Sequence, residues 1–218
     1  MLDHLRSVLF VNLSHLMLPF EGKLGKELSG LSAYQLMVWG YLICEGLYPN
    51  YVAFHMAKQW GDPSVLREIL DWLRHIIKDR TQYSPVTAQL YFEKVEAITP
   101  DTEDFSGVLG SEALDVCCAV LNLLEFTVTR NVESVVQIAG HARDTIDLFV
   151  QEQYDMDPQD PKLEERIEND EFMQLFLRWI NKLTESVRNV DSVDDSFLNS
   201  LSLKRPMVDN DLLRDDEL

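Results

Sequence analysis

Apolar residues recur three and four positions apart along most of this chain, the spacing that puts them on one face of an α-helix. Leu28 to Leu47 is rich in Leu, Met, Trp, Tyr and Ile, and Ala33 to Cys44 is apolar almost all round. A stretch of that length without a polar face predicts a helix buried in a protein core rather than a membrane span. Tyr48-Pro49 is expected to end it, because proline disfavours helical geometry in the residue before it, and Pro49 would open a second helix carrying Tyr51, Val52, Phe54 and Met56. Asp62-Pro63 is a start signal of the N-cap-then-proline type. Beyond it, Leu66, Ile69, Leu70, Leu73, Ile76 and Ile77 form one stripe, with Arg67, Glu68, Asp71, Arg74, His75 and Lys78 opposite. Ser84-Pro85 repeats the signal ahead of Ala88, Tyr91, Phe92, Val95 and Ile98.

Thr99 to Gly110, with Pro100, Asp101, Asp104, Gly107 and Gly110, reads as a loop. Ser111 is expected to cap a second strongly apolar helix, Glu112 to about Arg130, and Asn131 to cap the next, whose inward stripe runs from Val132 to Val150. Asp155 to Pro161 reads as an acidic linker, and Asp160-Pro161 as the start of a last helix with its stripe from Ile167 to Val187. No segment alternates with period two and no Asn-Gly or Asp-Gly hairpin turn occurs. The expectation is an all-α, single-domain bundle of about six or seven helices over residues 20–190, with Ala33–Cys44 and Glu112–Arg130 at its centre. Residues 1–19 are set apart as an N-terminal extension. Their apolar run lacks a basic leader and an A-x-A site, and Met17 offers an alternative start. Residues 191–218 read as a flexible acidic tail in which Phe197, Leu198, Leu201 and Leu203 could form a short docking helix.

Charge narrows the field of partners. With 19 basic against 37 acidic residues the formal net charge is −18, which repels phosphate backbones and anionic membranes, and no Lys/Arg cluster opposes it. Neither a nucleic acid nor a membrane is an expected partner. Cys44, Cys117 and Cys118 sit in apolar surroundings without C-x-x-C spacing, consistent with a reducing cytoplasm.

The familiar catalytic spacings are missing. Glu-x-x-His, H-E-x-x-H, a phosphate-binding glycine loop and G-x-S-x-G do not occur, so no catalytic residue, metal site or cofactor is assigned. Two pairs, Asp71 with His75 and His141 with Asp144, have helical spacing for a shared face, and surface pairing is the favoured reading of both. Glu45 at the end of the first central run, and Asp115, Asn122 and Glu125 within the second, place acids inside apolar helices. Buried carboxylates require partners. The favoured reading is that they cap helices or pair with arginines such as Arg67 and Arg143. The other is that they converge near Tyr48, Asn50 and Tyr51 in a polar pocket for a ligand or cation.

Several blocks resemble the YjaG family of bacterial proteins. Ile43 to Phe54 is similar to its C-E-x-x-x-P-N-Y-x-x-F segment; Arg67-Glu68-Ile69-Leu70-Asp71, Phe92-Glu93 with Ile98-x-Pro100, Asp104-Phe105, and Ala113-x-Asp115-x-Cys117 continue the likeness in order, from roughly Phe20 to Val190. The resemblance implies an all-helical, soluble protein without an assigned activity, and a loose association with histidine-kinase signalling. Glu45, Asn50, Tyr51, Asp104 and Asp115 fall in these blocks and are the candidate binding residues. Two functions are expected to compete. One is a non-enzymatic interaction or regulatory module, with a protein partner or as a homodimer; the other is a ligand- or cation-binding protein or enzyme using those carboxylates.

Overall fold

The computed structural model describes residues 19–80, 84–202 and 208. Among them it contains nine helices and no strand: α1 (Pro19–Leu28), α2 (Ala33–Lys58), α3 (Pro63–Asp79), α4 (Pro85–Glu96), α5 (Val108–Thr129), α6 (Val132–Gln153), α7 (Leu163–Glu168), α8 (Glu171–Val187) and α9 (Asp195–Leu201). The all-α bundle read from periodicity is therefore present, with more helices than expected. Residues 1–18, Leu203 and the acidic end at 209–218 lie outside the described residues.

The two helices without a broad polar face are central. α2 packs against α3, α5, α6 and α8, and α5 against α2, α4 and α6, while α1 lies on α6. Trp39, Tyr41, Leu42, Ile43 and Cys44 of α2 are fully buried, as are Val116, Cys117, Ala119, Val120 and Leu123 of α5. α3 and α8 are amphipathic and turn one stripe inward, Leu66, Ile69, Leu70, Leu73 and Ile77 from α3 and Met173, Ile180, Leu183 and Val187 from α8.

Four boundaries differ from the sequence reading. α2 does not stop at Tyr48 but runs through Pro49 to Lys58. An interior proline costs about 3 kcal/mol. Burying Leu47, Tyr51 and Phe54 completely on the same helix returns about 1.5–3 kcal/mol each, so packing wins over local preference. α5 starts three residues before Ser111, with Gly107 at the N-cap in a conformation (φ 99°) suited to glycine. The last expected helix is two: Asp170 accepts a hydrogen bond from the Phe172 backbone N–H and starts α8 afresh after α7. Finally, residues 191–202 pack on the body. α9 buries Leu198 and Leu201, and Val193 and Val208 are buried beside the core.

Candidate functional site

The carboxylates singled out from the sequence are drawn into separate sets of contacts. Glu45 faces α3, where the Arg67 guanidinium grips both its oxygens at 3.0 and 2.6 Å, and the Tyr41 hydroxyl donates to it as well. Burial alone would raise the Glu45 carboxyl; the bonds from Arg67 and Tyr41 more than undo this and hold it below its ordinary value. Arg67 also reaches Asp71 at 2.9 Å and lies over the Tyr48 ring at 5.3 Å. The expected pairing of Glu45 with Arg67 is thus present, whereas Asp71 and His75 part company: the His75 ring Nδ1 lies 3.1 Å from Asp79 instead. From Tyr41 the contacts continue through Arg74 to Asp195 on α9, making one polar chain across α2, α3 and α9.

Asp115 faces α6. The Thr145 hydroxyl donates to one of its oxygens at 3.0 Å, and His141 Nδ1 lies 3.4 Å from the other. His141 therefore meets an acid of the neighbouring helix, a partnership that spacing within α6 could not reveal. Asp144 joins this group. Its carboxyl is pushed up to about 6, first by loss of surrounding water and then by repulsion from Asp115 and Asp147, against the pull of His141 and Arg143. The residue is exposed, so solvent screens part of this repulsion. On the facing helix α1, burial and then the Glu133 charge raise the Glu21 carboxyl. Glu125, one of the stripe with Asp115, accepts a hydrogen bond from Ser134 at 3.0 Å. Arg143 pairs with Glu168 at 2.6 Å.

Tyr51 belongs to a third set. The Tyr51 hydroxyl donates to the Ile98 backbone oxygen at 2.7 Å, and burial raises its pKa. A side chain at Gly61 (φ +74°) would come within 2.2 Å of that hydroxyl, so glycine there is what lets the α2–α3 turn close over it. Phe54 packs edge-on to Phe105 with ring centres 5.2 Å apart, and Trp60 completes the cluster at 4.9 Å from Phe105. Gly110 has a parallel reason, since a Cβ would lie 2.0 Å from the Phe105 carbonyl oxygen. Asp104 is exposed beside Phe105 in the α4–α5 loop, where its backbone N–H donates to the Asp101 carbonyl oxygen. Asn50 is 1% exposed and its Nδ2 has no hydrogen-bond partner among the described residues.

Glu45, Asp104 and Asp115 accordingly do not share a set of contacts, and the Tyr51 hydroxyl is engaged at Ile98 instead of at either half-buried acid. Among the described residues, no group of three or more His, Cys, Asp or Glu side chains is arranged to hold a metal ion. Nor is any helix among them long and apolar enough to cross a membrane. Cys44 and Cys117 are fully buried and burial raises both thiols; Cys118 is pushed up to about 12 for the same reason.

Comparison with known proteins agrees with this architecture. A crystal structure of a DUF416 family protein from Shewanella baltica OS155 is similar with a TM-score of 0.71 at 22% identity, over 81% of this chain and 90% of that one, a likeness of fold. "Uncharacterized protein YjaG" of Escherichia coli (strain K12) is 27% identical over 142 residues, 64% of this chain and 70% of its own length. Its namesake in Salmonella typhimurium is 30% identical over 100 residues, 45% of this chain and about half (49%) of its own length. The family model described as "Protein of unknown function (DUF416)" matches residues 23–211, beyond the expected edge at residue 190 and across α9, and the chain belongs to that family.

Proposed function

We propose that this chain is a cytoplasmic, non-enzymatic interaction or regulatory module that binds a protein through the outer face of α4. The observation that carries this reading is the distribution of apolar residues around that helix. Pro85, Val86, Ala88, Leu90, Tyr91, Phe92 and Val95 occupy most of its circumference, yet only Ala88 and Val95 are buried. Val86 and Leu90, one turn apart, are 78% and 53% exposed. An apolar surface wider than the core can cover is the feature that protein interfaces use. Glu45 and Asp115, by contrast, already have cationic or hydroxyl partners that explain their burial. The link to histidine-kinase signalling stays within this reading as one kind of regulatory partner.

The test compares the full chain with Val86→Glu and Leu90→Glu variants. Both substitutions fall on exposed positions, so the helical circular dichroism signal should be unchanged. Self-association by light scattering, or a partner retained by affinity capture, should be lost in both variants and kept when the equally exposed Met56 is changed to Glu. A monomeric protein whose captured partners are the same in all three would defeat the proposal.

A second reading, a ligand or cation held by polar groups between the central helices, is supported by Asn50, whose buried amide nitrogen is unmatched. It predicts that a small ligand or divalent cation raises Tm in the wild type and not in Asn50→Leu. A screen in which nothing distinguishes the two proteins removes it.

A further inference from the structure

The last described helix, α9, and the residues before it pack against three helices, and the way they do so resembles a bound peptide. Residues 191–202 lie across α3 and α8 above the start of α2. Asp195 receives Arg74 and Lys78 of α3, which hold its carboxyl below the ordinary value, Lys78 first. Arg74 also reaches Asn199. Three residues beyond Asp195, Leu198 is fully buried, and three further on Leu201 is 7% exposed. The Trp179 indole of α8 donates to the Leu201 carbonyl at 2.9 Å, and the Val193 N–H donates to the Tyr34 hydroxyl of α2. Together these contacts join the segment to three elements of the body, α2, α3 and α8.

We propose that the surface of α2, α3 and α8 under this segment is a helix-docking site held shut by the chain's own residues 191–202. It takes an amphipathic helix from a protein partner, led by an acid and with leucines three and six residues beyond it. The argument is one of complementarity. In a chain of net charge −18, Arg74 and Lys78 stand one turn apart on α3 and both are committed to a single acid. Exposed pairs of this kind add little to stability but set register and choose partners by charge. The apolar part of the strap is narrow, with Val193, Leu198 and Leu201 as its buried side chains. A seven-residue helix does not persist without tertiary support. Such a segment opens by local unfolding while α2 and α5 stay folded. Tethering gives it an effective concentration on the order of millimolar, so it blocks weak ligands and yields to a better-matched helix. This site is separate from the α4 face, and failure of either proposal leaves the other standing.

The experiment uses the full chain and a fluorescein-labelled peptide of residues 191–202. Leu198→Asp should release the strap, with Leu201→Ala in an Asp195→Lys background as a second opened form should the first fail to fold. The labelled peptide should bind an opened chain at least tenfold more tightly than the wild type. That binding should weaken tenfold or more when the peptide itself carries Asp195→Lys. Hydrogen exchange of the wild type should show amides 195–201 exchanging at least tenfold faster than those of α2. Equal binding to closed and opened chains, no binding to an opened chain that retains its helical spectrum, indifference to Asp195→Lys, or exchange of α9 in step with α2 would each overturn the proposal.

Discussion

Glu45 on α2 and Asp144 on α6 are both acids at seams with a neighbouring helix, and their surroundings push them in opposite directions. Between α2 and α3, one carboxylate meets the two-pronged guanidinium of Arg67 and the Tyr41 hydroxyl, and it is held charged. Between α5 and α6, Asp144 meets Asp115 and Asp147 more strongly than it meets cations, and its proton is retained to a higher pH. Loss of surrounding water penalises the charge in both places, less so at Asp144, which remains exposed. What differs is whether a fixed donor faces it, so the same residue type is a clasp in one seam and a strain in the other.

Removing Arg67 tests the contrast most severely. Arg67→Met leaves Glu45, whose side chain is 19% exposed, without its cation. Chemical denaturation should show a loss of about 2–4 kcal/mol, and Glu45→Met added to it should recover most of that loss. The pH dependence follows from the direction of the shift. Stability lent by Glu45 is complete above its ordinary value of 4.5 and disappears as pH falls through the lower folded value. The double variant should lack that acid-side loss. Thr145→Val, which removes a fully buried donor from Asp115, should cost about 1–2 kcal/mol in the same assay.

The other seam should respond with the opposite sign. A carboxyl raised from 3.8 to about 6 favours folding while protonated and opposes it as pH rises through 6. Asp144→Asn should therefore stabilise the chain at pH 7–8, by about 0.5–1 kcal/mol once solvent screening is allowed for, and the gain should vanish by pH 4. A melting-temperature series across that range checks it; a loss at pH 8 would contradict the crowding argument. The smallest effect belongs to a surface pair outside both seams. Lys94→Ala, which frees the exposed Glu68, should change stability by about 0.2–1 kcal/mol.

Periodicity made the helices legible, and identified α2 and α5 as central, because an apolar surface all round a helix has only one stable place to go. It misjudged Pro49, where local proline chemistry points one way and the burial of Tyr51 and Phe54 points the other. α1 was harder because it buries only Leu24 and Leu28, too few to register as a stripe, whereas Phe197, Leu198 and Leu201 did suggest the short helix α9. The candidate site was legible in composition and not in arrangement. Arg67 as the partner of Glu45 could be named from its place on the polar face of α3. The meeting of Asp115 with His141, and of Arg74 with Asp195, joins residues of different helices, and no spacing along one helix encodes it. Two of the blocks that resemble the family meet in space where Phe54 packs on Phe105.

The three sulfurs enclosed by α2 and α5 make the molecule its own reporter of opening. Because Cys44, Cys117 and Cys118 are shielded and their protons tightly held, a thiol-modifying reagent gains access only when those helices separate. Modification rates would then time the breathing of the molecular centre without any added label, and mass spectrometry would tell which of the two helices parted first.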